Sequence, residues 1–298
     1  MAYSVAVIGL GAMGMGAAQS CVRAGLDTYG VDLSAQARDI LQAAGAKAVA
    51  ASADGFADKL DAVLLLVVNA AQVEAVLFGE SKLADKLKPG TAVMVSSTIA
   101  AQDAHRFGEA LAARGLLMLD APVSGGAAKA AAGEMTVMAA GDDAVFAKLQ
   151  PVLDAVAGKV YRCGKNIGQG ATVKIIHQLL AGVHIAAGAE AMALAAKAGI
   201  PLDLMYDVVT HAAGNSWMFE NRMKHVVDGD YTPLSMVDIF VKDLGLVTDT
   251  GKALRFPLPL ASTAFNMFTE ASNAGHGKED DSAVIKIFSG IELPKKGG

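Results

Sequence analysis

Cysteine, aromatic residues and clustered positive charge are what this sequence has least of. Two cysteines, Cys21 and Cys163, stand in 298 residues; they share no short-spacing motif, which removes a disulfide framework and a thiolate metal knuckle. Both read as buried thiols in a reducing compartment. Aromatics are 5% of the chain, with Trp217 the single Trp, so a core must be filled by small aliphatic side chains, with 13 methionines as gap-fillers. Charged residues are only 18%, the net charge is -5, and no Lys/Arg block tracks phosphates, which excludes nucleic acid as an expected partner. His105, His211, His225 and His276 form no ligand spacing with cysteines or carboxylates, and no metal is expected. Residues 1–4 lead directly into Val5-Ala6-Val7-Ile8 without a charged n-region or a cleavable apolar segment, so an export signal is not expected and the cytoplasm is.

What the chain does have is length and apolar periodicity. With 53% hydrophobic residues it suits about two domains of roughly 100 to 200 residues each. Up to about residue 160, short β-rich runs alternate with Ala-rich amphipathic stretches. Strands are expected at 5–9, 28–32, 62–68, 92–96, 116–120, 136–140 and 160–162, with helices at 13–24 and, capped by Ser34, at 35–44. The run at 62–68 is continuously apolar, as in a parallel strand buried on both faces. From Gly168 onward the period is helical: 170–198, 201–213, 219–228, 237–252, and a last pair near 259–274 and 280–289. The expected fold is α/β, a doubly wound sheet over residues 1–164 and an all-helical substrate and oligomerisation domain over 165–298, joined by the long helix. Residues 179–200 are long and apolar enough to mimic a membrane span, but His184, Glu190 and Lys197 interrupt them and a buried helix is expected. The tail, 294–298, reads as short, charged and frayed.

Gly9-Leu10-Gly11-Ala12-Met13-Gly14 matches G-x-G-x-x-G between a strand and a helix, the Rossmann-type context in which glycines allow a tight turn and close approach to a pyrophosphate at a helix N-terminus. A βα turn that binds nothing is the competing reading. Asp32 follows about twenty residues later, where an acid hydrogen-bonds ribose hydroxyls and repels a 2′-phosphate. No Arg comes directly after it, so NAD is expected rather than NADP; Asp32 could instead only cap the next helix.

Hydride transfer from a hydroxy acid needs a proton acceptor and donors for a carboxylate. Asp120-Ala121-Pro122-Val123-Ser124-Gly125-Gly126 ends a strand with a hydroxyl and paired glycines. It reads equally as a carboxylate site and as a plain turn at a sheet edge. Gly168-Gln169-Gly170 opens the long helix that carries Lys174 and His177, three residues apart and so on one face. Apolar neighbours Val173, Ile175 and Ile176 argue for a desolvated Lys174 whose pKa falls toward neutrality, against the alternative of a solvated helix lysine. Asn215, beside Trp217, is a candidate for the substrate pocket, with Trp217 itself expected to be packed.

Together the glycine fingerprint, the segment at 120–126, Gly-Gln-Gly with Lys174, and Lys242-Asp243-Leu244 resemble the β-hydroxyacid dehydrogenase family, in order and spacing, over essentially the whole chain. That family includes 3-hydroxyisobutyrate dehydrogenase and tartronate semialdehyde reductase. The resemblance implies that Lys174 is the catalytic acid/base and that Ser124, Gly125 and Gly126 bind the substrate carboxylate. It further implies that Thr98 and Lys242 contact the cofactor near the nicotinamide, that Val68 and Asn69 line its edge, and that the protein is a homodimer or homotetramer. His177 departs from the family, where asparagine is usual, and the run at 174–184 resembles the subgroup that oxidises the four-carbon sugar acid L-threonate at C2. An imidazole there could read an extra hydroxyl, or simply replace the amide as a positioning donor. The rival expectations are an aldehyde-acid reductase, a 3-hydroxyisobutyrate dehydrogenase and a dinucleotide sensor without chemistry. The last would be expected to lack Lys174.

Overall fold

The computed structural model describes residues 3–296 and divides into two compact units, one running to Lys174 and one starting at Ile175. In the first, β1 (Ser4–Ile8), β2 (Asp27–Val31), β3 (Ala48–Ala50), β4 (Ala62–Leu65), β5 (Ala92–Val95) and β6 (Leu117–Asp120) are parallel, in the order β3-β2-β1-β4-β5-β6. Between them run α1 (Ala12–Arg23), α2 (Ala35–Ala43), α3 (Ala70–Phe78), α4 (Leu83–Lys86) and α5 (Ala101–Ala112). This is the doubly wound order, reversing beside β1.

The pattern that makes it is period two on both faces. Val5, Val7, Leu64 and Met94 join one hydrophobic cluster, and Ala6, Ile8, Val63 and Leu65 the other. A parallel strand covered on both sides needs apolar residues at every position, and all four residues of β4 are fully buried. Strand 62–68 of the sequence reading stops at Leu65, and by Val68 the chain is exposed.

Beyond β6 the sheet changes direction. β7 (Val123–Ser124), α6 (Gly126–Ala132), β8 (Met135–Ala140), α7 (Asp143–Val156) and β9 (Ala157–Gly164) follow, with β8 antiparallel to β6 and β7 and parallel to β9. The break between β6 and β7 falls at Ala121-Pro122. Proline has no N–H for a ladder, and here it contributes its carbonyl alone, accepting from Met138 N at 2.9 Å. Periodicity could not separate the two-residue β7 or the three-residue β3 from their turns.

The long helix α8 (Gln169–Lys197) gives its first turns to the first unit and the rest to the second, which continues with α9 (Leu202–Thr210), α10 (Trp217–Asp228), α11 (Val237–Leu254) and α12 (Pro259–Ala271). Ile185, Met192, Met223, Phe240, Leu244 and Phe268 form its core. A Cβ on Gly182 would stand 2.8 Å from Leu244 Cδ2, so a glycine is what lets α8 and α11 approach this closely. The segment before α11 is held by Asp280, whose carboxylate accepts from Leu234 N at 3.0 Å and from Ser282, and Arg222 pairs with the buried Asp281 at 2.7 Å.

Five expectations need correction. α8 passes the length and apolarity test for a membrane span, yet only half of its most apolar window is buried; Val173, Ile176, Leu180 and Leu194 lie exposed along it. Trp217 is exposed rather than packed, because it opens α10 off the face carried by Phe219, Met223 and Val226. Cys163 is only half-buried, on β9, whereas Cys21 is buried in α1. The last helix near 280–289 is a short 3-10 segment, Asp281–Ile287, preceded by a π turn with Gly275 at φ +96°. The tail is not frayed as far as Lys296, which pairs with Asp230 at 2.8 Å, and Pro294 packs on Gly229. Gly297 and Gly298, like Met1 and Ala2 of the leader reading, lie outside the described residues.

Candidate active site

Parallel strands end on one edge, so the segments after β1, β2, β4, β5 and β6, at residues 9–14, 32–34, 66–69, 96–99 and 121–126, follow the carboxyl ends of the sheet. Ligands of doubly wound sheets bind at this edge, where the strand order reverses. Sequence reasoning drew its first-unit cofactor and carboxylate candidates from these segments.

The glycine turn has a distinct reason at each position. Gly9 adopts φ +90°, and a Cβ there would stand 2.8 Å from the Leu66 carbonyl oxygen. A Cβ on Gly14 would lie 1.7 Å from the Gly9 oxygen, so only glycine lets α1 sit on the turn. At Gly11 a Cβ would meet nothing within 4 Å: the fold does not require glycine there, and the bare backbone is open to close approach. Gly11 caps α1 without a side-chain acceptor for the first-turn N–H groups, which suits an anion such as a pyrophosphate. Leu10, Ala12 and Met13 complete the turn, with Met15 N donating to Gly11 O at 2.9 Å.

Asp32 accepts from Leu10 N at 2.7 Å and from Ser34 N at 2.8 Å, tying the glycine turn to the end of β2. Capping of α2 falls to Ser34, which accepts from Ala37 N. Arg38 donates to the carbonyls of Asp32 and Leu33 at 2.7 and 2.9 Å, so this downstream cation is engaged by main chain. After β4, Val68 is exposed and its N–H donates to Gln72 Oε1 at 2.7 Å, while Asn69 caps α3 by accepting from Gln72 N at 2.9 Å. Thr98 is half-buried after the buried Ser96 and Ser97 at the end of β5.

Ser124 ends β7 in register with Thr136. Gly125 and Gly126 then take φ +128° and +72° in succession, backbone that side chains resist. A Cβ at Gly126 would meet nothing within 4 Å.

Asp120 is a residue the sequence reading quoted without assigning a role. It is 1% exposed and its Oδ2 accepts from Gly168 N at 2.8 Å and Ala171 N at 3.0 Å, at the start of α8. Burial pushes this carboxyl above the ordinary range, opposed by the N–H groups of Ala171, Gly168 and Gly170. A Cβ on Gly170 would lie 2.5 Å from the carbonyl oxygens of Asp120 and Met138, which accounts for the glycine where α8 meets the sheet. The helix so anchored carries Lys174, 5% exposed. Of the three apolar flanks only Ile175 is buried with it; Val173 and Ile176 are on the exposed side of the helix.

In the second unit His177 is half-buried and its Nδ1 lies 3.0 Å from Gln178 Oε1. Gln178 Nε2 donates to Asp243 Oδ2 at 2.5 Å, and Asp243 Oδ1 pairs with Lys242 Nζ at 2.7 Å. Gln178 and Asp243 are 8% and 2% exposed. Gln178 has no mark of its own in the sequence, and Asp243 stands there only within Lys242-Asp243-Leu244, without a role; the signal that joins them is Gly182, one turn beyond Gln178, which packs on Leu244 of the helix that carries Asp243. The Asn215 amide donates to Thr210 O at 3.4 Å and Glu220 Oε2 at 3.2 Å, closing the turn between α9 and α10. Two open depressions of this unit, about 590 and 480 Å³, lie around Pro201 and around Phe288 and include none of the candidate residues. Among the described residues no His, Cys, Asp and Glu cluster could hold a metal.

A glycine turn open only at its central glycine, an acid at the end of β2 and residues at successive strand ends define a dinucleotide-binding unit. Residues 4–164 match the NAD binding domain of 6-phosphogluconate dehydrogenase, and residues 168–288 match the NAD-binding model of NADP-dependent 3-hydroxyisobutyrate dehydrogenase. The chain is 76% identical to L-threonate dehydrogenase of Pectobacterium atrosepticum over 99% of its own length and 97% of the relative's. It is also 76% identical to L-threonate dehydrogenase of Haemophilus influenzae, over 99% and 98%. A crystal structure described as 3-hydroxyisobutyrate dehydrogenase from Salmonella typhimurium superimposes with TM-score 0.93 at 72% identity, over 96% of this chain and 100% of that one. The chain belongs to the β-hydroxyacid dehydrogenase family and is an NAD-dependent hydroxyacid dehydrogenase.

Proposed function

We propose that this enzyme oxidises L-threonate at C2 to its 2-oxo acid, with NAD as acceptor and Lys174 as the acid/base. The observation that carries the proposal is a lysine buried on α8, in a chain three-quarters identical to proteins described as L-threonate dehydrogenases. In this reading the pyrophosphate lies at Gly9, Leu10, Gly11, Ala12, Met13 and Gly14, the ribose at Asp32, and the nicotinamide near Val68, Asn69, Thr98 and Lys242. NAD, when bound, takes the hydride released from C2. Ser124 with the N–H groups of Gly125 and Gly126 holds the substrate carboxylate. Lys174, in its neutral form, removes the hydroxyl proton as the carbonyl forms. Burial disfavours an ammonium, and a base with pKa near the working pH is the most effective one. His177 and Asn215 read the remaining hydroxyls. Such a hydrogen-bonding site discriminates strongly against acids that lack the hydroxyl.

The same reading divides the domains at residue 164 and makes the protein a cytoplasmic homodimer or homotetramer. Free thiols at Cys21 and Cys163 suit a reducing compartment, and the apolar stripe Val173, Ile176, Leu180 and Leu194 suits a covered face. The Salmonella typhimurium neighbour carries a different substrate description, so the competing reading is 3-hydroxyisobutyrate, with tartronate semialdehyde reduction the same chemistry reversed. NADH formation with L-threonate, D-threonate, D-erythronate, D-glycerate and 3-hydroxyisobutyrate separates them. L-Threonate is expected to give the highest kcat/KM; a higher value for 3-hydroxyisobutyrate or glycerate would overturn the substrate assignment.

A further inference from the structure

Between His177 and Lys242 run two hydrogen bonds and an ion pair, and the polarity of the chain is set by its far end. Asp243 is paired through Oδ1 with the Lys242 ammonium at 2.7 Å, and a carboxylate has acceptors only. The Gln178 side-chain group facing Asp243 Oδ2 must therefore be the donor, its NH2, which settles the amide orientation on chemical grounds: Oε1 faces His177. Oε1 is itself only an acceptor, so the ring nitrogen 3.0 Å from it must bear a proton. In the neutral imidazole that leaves Nε2 with a lone pair.

We infer that Gln178 and Asp243 are positioning residues that hold His177 as the Nδ1–H tautomer, so that its Nε2 accepts a hydrogen bond from a hydroxyl of the substrate. The inference rests on the proposed placement of His177 against the sugar acid and deepens it. An asparagine at this position could turn either its donor or its acceptor toward the substrate, whereas this histidine is committed to accepting. A polyhydroxylated acid supplies the donor that such an acceptor requires; an acid with a methyl group in that place does not. Geometry adds rigidity: Gln178 and Asp243 are both buried, and close packing of Gly182 on Leu244 keeps α8 and α11 in register.

Asp243→Asn tests this with little change of shape. An amide at 243 turns its oxygen to the Lys242 ammonium and its NH2 to Gln178, so Gln178 must invert and present its own NH2 to His177 Nδ1. The tautomer is then forced to Nε2–H. The measurement is a long-range proton–nitrogen spectrum of the NAD-saturated enzyme labelled with 15N-histidine, with the His177 signals identified by their loss in His177→Asn. The expected result is Nδ1–H in the native enzyme and Nε2–H in Asp243→Asn. With it, KM for L-threonate rises about tenfold, the loss of one hydrogen bond worth about 1.4 kcal/mol. Gln178→Met, which removes the relay, should give a mixture of tautomers. Nε2–H in the native enzyme, or a tautomer unmoved by both substitutions, would overturn the inference. An inactive L-threonate assay with the Nδ1–H form intact would instead retract the substrate and leave the relay standing.

Discussion

At Gly11 and Gly14 the same substitution should have opposite consequences. Gly14→Ala would bring a Cβ within 1.7 Å of the Gly9 oxygen, so α1 has to move off the turn and thermal stability is expected to fall sharply. Gly11→Ala meets nothing within 4 Å and has φ -71°, so its melting temperature should match the parent while NAD affinity drops by about tenfold or more, one methyl group standing in the path of a ligand. Unchanged NAD binding in Gly11→Ala would argue against the pyrophosphate site. Thiol chemistry offers a second check at this scale. Burial pushes the Cys21 thiol up to about 12, so its thiolate is scarce at neutral pH; alkylation followed by mass spectrometry should label Cys163 first and Cys21 only on unfolding.

What the sequence made legible at residue level is instructive. The glycines at 9, 11 and 14 and the acid at 32 could be read because their roles are local and their spacing is set by a strand and a helix. Asp120, Gln178 and Asp243 could not, because each acts on groups distant in sequence: Asp120 on N–H groups 48 and 51 residues away, Gln178 on a carboxylate 65 away. Nothing in a period of 2 or 3.6 marks such a pair.

Helices and strands were read where periodicity was long. β1, β2, β5 and α8 differ from expectation by a residue or so at each end. β7 and β3 carry no period in two or three residues, and the 3-10 stretch Asp281–Ile287 cannot be told from an α-helix in sequence because seven residues with apolar positions at Ala283, Val284, Ile285 and Ile287 fit either turn. Asp120→Ala leaves N–H groups of the first turn of α8 without their acceptor, a loss of about 1 to 3 kcal/mol, and displaces the helix that carries Lys174. Asp120→Asn tests the sign of the carboxyl shift. A folded pKa raised above the unfolded value contributes stability that is present at acid pH and lost as pH rises through the folded value. Relative to native, the Asn variant should therefore gain in denaturant midpoint from acid pH toward neutrality, and a relative loss would mean that the N–H groups outweigh burial. In the second unit, Arg222→Met strands a buried Asp281, at a cost of about 3 to 5 kcal/mol. Removing both charges with Asp281→Leu as well should restore much of that.

At the scale of the molecule, 298 residues with a net charge of -5 fold into a doubly wound sheet unit and a helical unit that share one long helix. The apolar stripe on α8 makes the assembly a whole-molecule question. Light scattering should give twice or four times the chain mass of 30.4 kDa, and a monomer would remove the proposed interface. The central claim is that this chain transfers hydride from L-threonate to NAD with Lys174 moving the proton. It is tested most directly by NADH formation from L-threonate in the native enzyme beside Lys174→Ala, with NAD binding measured on both. The account predicts L-threonate turnover by the native enzyme, unchanged NAD affinity in the variant, and a rate lower by about a hundredfold to ten-thousandfold, the usual contribution of a general acid/base. A Lys174→Ala enzyme that still oxidises L-threonate at the native rate would contradict it.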